Sequence, residues 1–313
     1  MNFYLRTLLV LVIAGVVLSL LNKVYVNGHT RYYKHEMERI NVLLNKEAYY
    51  DVLYIGSSRT HMHYNPRVID SITHLSSYNL GVEGGNLLEI NLWFQVYLQI
   101  HQAPKMVVLD LPVFAFDIEK RPFFNPTIYF PYLENDIIYN TLARYKKIQL
   151  FKYLPLLELM EIDDYNKFNA LRGILGKKEE ISYGFTYNGY ADNGIRGLTP
   201  ATGLPQDTIT YAVAEAGKKI LDAIIDSCSR RHIKLIIAYS PEYYNTDYKK
   251  RIDFFQYVTE VSKKNLIPFF DYRNLSICKD STLFANQSHL NKFGARIYSR
   301  YVAEAIVAEL PGR

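Results

Sequence analysis

Four apolar residues in succession, Val52-Leu53-Tyr54-Ile55, stop at Gly56 and are followed by Ser57, Ser58 and Arg59. A run with no polar alternation has to be covered on both faces, which is the condition of a central strand in a parallel sheet. Gly56 permits a tight turn at the end of that strand. Open α/β sheets bind their ligands outside the carboxyl ends of the strands, so a serine in this turn is a candidate nucleophile.

The rhythm repeats downstream. Asn65-Pro66 offers an N-cap and a first-turn proline for a short helix reaching about residue 73, and 77–82 reads as a second strand. Asn86, with Glu89 three residues on, has the spacing of a capping box and opens a helix to about residue 100. A third strand spans 105–112. After a long interruption come a helix over 208–231, a strand over 234–239, a helix over 249–264 and a strand over 268–272. Phe293, Ile297, Tyr301 and Ala305, at intervals of four, mark an amphipathic last helix over 292–310. This alternation predicts an α/β fold: a doubly wound, flavodoxin-like, parallel five-stranded sheet in a three-layer αβα arrangement. The interruption at 115–206 is rich in proline and aromatics, with helical segments near 139–153 and 165–175. An insertion of that length fits a lid or substrate-selecting cap, or padding on the sheet edge.

The first residues bear on the compartment. Residues 7–21 are apolar and uncharged, between Arg6 and Lys23. With the flanking apolar residues added, and Arg6 and Lys23 reaching the two interfaces, the span grows to about 20 residues, enough to cross a bilayer. No small-x-small cleavage site follows, which favours an uncleaved anchor over a removed signal peptide or a buried core helix. The expected organisation is therefore an anchor over 1–26, a helical stalk over 27–49 and one α/β domain over 50–313. Basic residues on both sides of the run, Arg6 before it and Lys23, Arg31 and Lys34 after it, leave the orientation open.

Composition excludes little else. A formal net charge of +5 without a long basic run does not point to nucleic acid. The 28 tyrosines and 16 phenylalanines serve either packing or sugar stacking. Cys228 and Cys278, the only cysteines, fit no metal spacing and form either a disulfide or two idle thiols. His61 and His63 suit a metal only on extended backbone and have no acidic or thiol cluster beside them. Neither a metal nor a cofactor is expected.

Three stretches in this order, Gly56-Ser57-Ser58, Asn79-Leu80-Gly81-Val82-Glu83-Gly84-Gly85-Asn86 and Asn286-Gln287-Ser288-His289, resemble blocks I, II and V of the SGNH (GDSL-like) hydrolases. The resemblance covers about 50–114 and 209–309. Its nearest branch is similar to the membrane-anchored proteins of cell-envelope acylation, such as D-alanine transfer proteins of teichoic acids and alginate O-acetylation proteins. The resemblance implies Ser58 as nucleophile, with Ser57 in place of the family's aspartate, and His289 as base. It assigns the oxyanion to the backbone N–H groups of Ser58 and Gly84. Two positions depart from the pattern. The asparagine of block III falls at about Phe114, and the residue three before the histidine, normally aspartate, is Asn286. Asparagine can accept from the imidazole but cannot offset the charge of an imidazolium; in a serine triad that exchange lowers turnover by about 10⁴, chiefly through the wrong tautomer. Asp110, Glu242 and Glu83 are alternative acids. Arg59 fits either an anionic substrate group or a salt bridge to Glu83.

The function implied is a membrane-anchored serine esterase or O-acyltransferase acting on acyl esters of a cell-envelope polysaccharide or polymer, with its domain extracytoplasmic. Its expected partners are the acylated glycan, the bilayer and a membrane O-acyltransferase, with no nucleic acid. The competing reading is an SGNH-fold binding or assembly module that has lost efficient catalysis.

Overall fold

Every residue of β1 (Val52–Gly56) is buried, as its unbroken apolar character requires. The computed structural model describes residues 3–45, 49–146, 148–149, 151, 164–177, 186–195, 197, 212–243 and 251–310. Two units emerge, one built from 1–44 and 125–181, the other from 45–124 and 182–313.

In the second unit β1 lies between β2 (Ser77–Gly81) and β3 (Met106–Asp110), followed by β6 (Lys234–Tyr239) and β7 (Phe269–Asp271), all parallel, in the order β2-β1-β3-β6-β7. This is the expected doubly wound sheet, with the order reversing beside β1. Successive strand residues face opposite sides. Val52, Tyr54, Met106, Val108, Ile236 and Ala238 pack with Ile69 of α4 (Pro66–Thr73) and with Tyr298, Val302 and Ile306 of α10 (Lys292–Ala308). Leu53, Ile55, Val107 and Leu109 fill the other face, which α5 (Leu87–Ile100) and α8 (Glu215–Arg230) cover. Each such side chain contributes roughly 1.5–3 kcal/mol when fully buried. The expected strands at 77–82, 105–112 and 268–272 are one to three residues shorter in the structure. Three elements were not anticipated: α3 (Ser58–His63), which begins at once after Ser57, and a small hairpin of β4 (Thr186–Tyr187) and β5 (Tyr190–Ala191). α9 (Ile252–Lys264) starts three residues later than expected, and the expected start of α8 at 208 lies outside the described residues.

The first unit departs from the expected stalk and insertion. α1 (Phe3–Tyr32) continues well past the apolar run, and α2 (Lys34–Leu44) follows after a single residue. α1 packs with α7 (Asp164–Ile174) and with the 3-10 turn Pro126–Tyr132, α2 meets that turn where the Tyr132 hydroxyl reaches the Met37 sulfur, and α6 (Asp136–Ala143) packs on it too. The reason is a small-residue crossing and a set of polar contacts. A Cβ on Gly28 would collide with the Ala170 carbonyl oxygen and one on Gly173 with that of Gly28, so the two helix backbones touch. Tyr33 donates to Asn166 Oδ1 (2.8 Å) and accepts from Asn169 Nδ2 (2.9 Å), while His29 Nε2 lies 3.1 Å from Thr127 Oγ1. Residues 27–44 are thus one side of a folded unit, and the described residues of the expected insertion between 125 and 177 supply the other. Residues 3–21 of α1 are exposed apart from the half-buried Leu18, and the helix is long and apolar enough to cross a membrane.

Candidate active site

The register of the sheet brings three residues to one row. Gly56 lies opposite Gly81 on β2 and Asp110 on β3. A Cβ on Gly56 would strike Thr60 Oγ1, and one on Gly81 would meet the backbone nitrogen of His61 and, at 2.8 Å, the carbonyl oxygen of Ser57. Two glycines therefore let α3 start at the very edge of the sheet. Ser57 caps this helix, its Oγ accepting from the Arg59 N–H at 3.3 Å. Ser58 is the first helical residue, so its own N–H has no acceptor within the helix. Asn79, wholly buried, clamps the far end of the turn. Its Nδ2 donates to the carbonyls of Thr60 (2.7 Å) and Tyr64 (2.8 Å), and its Oδ1 accepts from the Gly81 N–H at 2.9 Å.

His289 approaches from a loop 231 residues away in sequence. The hydroxyl of Ser58 lies 2.9 Å from His289 Nε2, and Nδ1 lies 3.0 Å from Asn286 Oδ1. That oxygen also accepts the backbone N–H groups of Ser288 and His289, each at 3.0 Å. Three donors converging on one atom identify it as the carbonyl oxygen of the amide rather than its nitrogen. Asn286 cannot turn its NH₂ toward the ring without losing two backbone hydrogen bonds. The imidazole therefore carries its proton on Nδ1 and presents a lone pair at Nε2 to Ser58.

The loop around His289 is held mostly by backbone groups. The Ala285 N–H donates to the His289 carbonyl and the Tyr243 N–H to that of Gln287, both at 2.9 Å. Asn291 caps α10 through Phe293 and Gly294. The Leu290 N–H donates to Nε2 of His63 at 2.9 Å. His63 is fully buried, and its pKa lies well below the usual histidine value through burial first, then the nearby charge of Arg59 and of His289. Burial, reinforced by Arg59 and opposed by Glu242, likewise lowers His289 to about 4. Both rings are neutral at ordinary pH, as a base and an acceptor have to be.

Beneath the serine lies a buried ionic network. Arg59 is 2% exposed; its Nε donates to Ser240 Oγ at 3.0 Å, one terminal nitrogen to Glu242 at 2.6 Å and the other to the Ser240 carbonyl. Its guanidinium also stacks 4.4 Å from the Tyr239 ring centroid. The second oxygen of Glu242 pairs with Arg251 at 2.8 Å. Asp110 accepts from the Ser240 N–H (2.9 Å) and hydroxyl (2.7 Å), and burial raises its pKa against the opposing pull of Arg59. The expectations for these residues are corrected accordingly. Arg59 points into the protein, not toward a substrate, and its carboxylate partner is Glu242 rather than Glu83. Asp110 and Glu242 are engaged in this network, and the acceptor at His289 Nδ1 is Asn286. Glu83 is half-buried in the turn after β2. Phe114 sits half-buried in a 3-10 turn, Val113–Phe116, beyond β3.

Gly84 occupies the left-handed region, with φ of +62°, in the turn that the Gly85 N–H closes onto the Val82 carbonyl at 3.0 Å. Asn86 then caps α5 through the N–H groups of Leu88 and Glu89. Glu89 takes a role the capping-box reading did not foresee: its carboxylate accepts from the Phe124 N–H at 2.9 Å. His61 and His63 lie buried on a helix, and among the described residues no three metal-ligating side chains cluster. Cys228 and Cys278 are free, buried thiols, so the disulfide alternative is not realised. Burial raises their pKa values to about 12 and about 11.

No family model matches the sequence, and no curated protein matches it. Solved structures do resemble the chain. One described as a lipolytic protein of the G-D-S-L family from Desulfitobacterium hafniense DCB-2 is 12% identical with a TM-score of 0.42, over 81% of this chain and 97% of its own. An acylhydrolase structure from Bacteroides fragilis NCTC 9343 is 12% identical with a TM-score of 0.39, over 82% of this chain and 86% of its own. The acetyl xylan esterase AlAXEase is 12% identical with a TM-score of 0.42, over 83% of this chain and 98% of its own. These likenesses concern the fold, and the chemistry rests on the site itself.

Proposed function

We propose that the protein is an SGNH-like serine esterase or O-acyltransferase, anchored in a membrane by α1, that acts on acyl esters of a cell-envelope polysaccharide or polymer on the extracytoplasmic side. The observation that carries this reading is the line from Ser58 Oγ through the His289 ring to Asn286, with both hydrogen bonds formed and the ring in the productive tautomer. Ser58 Oγ attacks the acyl carbonyl while Nε2 of His289 takes its proton. The oxyanion draws on the N–H groups of Ser58 and Gly84. Imidazolium then returns the proton to the leaving alcohol, and water or a second hydroxyl reverses the sequence on the acyl-enzyme. The wrong-tautomer part of the penalty for replacing the acid does not apply here, because Ser288 and His289 lock the Asn286 oxygen in place. What remains is the missing negative charge beside the imidazolium.

Full-length protein in detergent tests this reading. A fluorophosphonate probe is expected to label it, and Ser58→Ala and His289→Ala to abolish the labelling. No labelling of the parent protein overturns the enzyme reading in favour of the second one, a binding or assembly module, which Asn286 and Phe114 at two expected catalytic positions favour. For the anchor, peptides from residues 2–21 in protein recovered from membranes are expected; their absence makes that segment a removed leader. Accessibility of an engineered cysteine on unit two to a membrane-impermeant maleimide in intact cells tests the side of the membrane.

A further inference from the structure

Beside the turn that carries Gly84, a second feature is built with some care. The ring of Phe124 lies against Gly84 so closely that a Cβ there would run into it. The ring is 46% exposed, and the guanidinium of Arg121 stacks over it, 4.1 Å from its centroid. The segment carrying both is tied to the start of α5 at three points. Asn86 Nδ2 donates to the carbonyls of Arg121 (2.6 Å) and Pro122 (3.3 Å), and Glu89 accepts from the Phe124 N–H at 2.9 Å. The residues that cap the helix after Gly84 therefore also fix the position of Arg121 and Phe124.

Arg121 is exposed, and among the described residues it has no acidic partner. A guanidinium lying over an aromatic face keeps its N–H groups pointing outward in its own plane, the geometry for a two-pronged contact with a carboxylate or phosphate. Arg59, the arginine directly after the serine in sequence, is buried and spent on Glu242 and Ser240. Arg121 is the one placed on the solvent side of the Gly84 turn.

We propose that Arg121, stacked on Phe124, forms a subsite for an anionic group carried on the alcohol side of the ester substrate. This rests on Gly84 contributing to the oxyanion site. The ring fixes the fork, the fork binds a carboxylate or a phosphate, and the ester carbonyl is thereby directed toward Ser58.

Three aryl acetates matched in size supply the test with full-length protein in detergent: 3-acetoxybenzamide (neutral), 3-acetoxybenzoate (carboxylate) and 3-acetoxyphenyl phosphate (phosphate). The parent enzyme is expected to favour the anionic esters in kcat/KM by about tenfold, the size of one charge-assisted contact at a partly exposed site. The two anionic arms show which group the subsite prefers. In R121Q the ratio of anionic to neutral turnover falls to about one, the loss lying in KM, and R121K recovers only part of it because an ammonium lacks the planar fork. A ratio unchanged in R121Q, or both esters losing rate in proportion, overturns the proposal. Should no ester be turned over in a Ser58-dependent way, the functional reading fails separately. Calorimetric titration of the Ser58→Ala protein then decides the subsite: binding of 3-acetoxybenzoate over 3-acetoxybenzamide that R121Q abolishes supports it, and equal binding overturns it.

Discussion

The two reactive side chains are held by opposite means. Ser58 stands on a strand, a glycine turn and a helix start, backed by buried charges that lock three strand ends together. His289 stands on a loop held by backbone hydrogen bonds, with a neutral amide behind it and a neutral histidine beside it. The first support is strong and intolerant, because a charge removed from a dry network leaves its partner uncompensated. The second is made of interactions that contribute about 1 kcal/mol each, and it positions the base without forcing a charge on it. The nucleophile is fixed by fold stability, the base by local geometry.

That contrast is best broken at its strong end. Arg59→Leu is expected to lower unfolding free energy by about 3–5 kcal/mol, read by denaturant titration, because Glu242 then stays buried with only Arg251 to face. A loss under about 1 kcal/mol would mean that the network is solvated and that Ser58 owes it little. Next in size, Gly81→Ala drives a Cβ into the start of α3, an overpacking worth about 1–3 kcal/mol. It is expected to depress turnover of a neutral aryl acetate more than a stability loss of that size explains, since α3 carries Ser58.

On the histidine side the effects are smaller and show in pH profiles. His63→Phe leaves the Leu290 N–H without an acceptor, at about 1–3 kcal/mol, and lowers kcat, whereas His63→Gln keeps an acceptor and restores part of it. Equal activity in the two variants would remove His63 from the support of the base. Asn286→Asp puts a negative charge behind the ring, and an opposite charge at that distance raises an imidazole pKa by about 1–3. The acid limb of kcat/KM is expected to move upward from near pH 4, where the His289 value of about 4 places it. An unmoved limb would mean that another group titrates there. The sign also sets the pH dependence of stability. A histidine whose folded pKa lies below its ordinary 6.5 stabilises fully above that value and progressively less as pH falls toward about 4. Thermal midpoints measured across that window should therefore decline with acidification, less steeply in Asn286→Asp.

What the sequence disclosed follows the same division. The unbroken run before Gly56, the Asn65-Pro66 start, the Asn86 cap and the four-residue interval in the last helix are local signals, and each marks an element of the sheet domain. The pairing of Ser58 with His289 was legible only through the order of three motifs. The partners of Arg59 were not legible, because nothing near residue 59 announces Glu242 or Arg251; an arginine directly after a buried strand was the one available hint. His63 looked like half of a weak metal pair because helix α3 was not foreseen, and on a helix it turns instead toward the peptide after His289. The first unit was invisible for a related reason. Gly28 and Gly173 weaken a helix when taken singly, and their meaning appears only when two backbones 145 positions apart are laid across each other.

α1 has no break between its bare apolar half and the half that packs against α7. A helix of 30 residues behaves as a single rod about 45 Å long. If its first part lies in a bilayer, the tilt of that part dictates the attitude of everything bolted to the second, and no swivel separates the two. Shortening the protein for work in solution therefore has a natural limit at about Asn22. A cut at residue 28, although it falls beyond the apolar run, would saw through the rod where Gly28 and His29 are clasped.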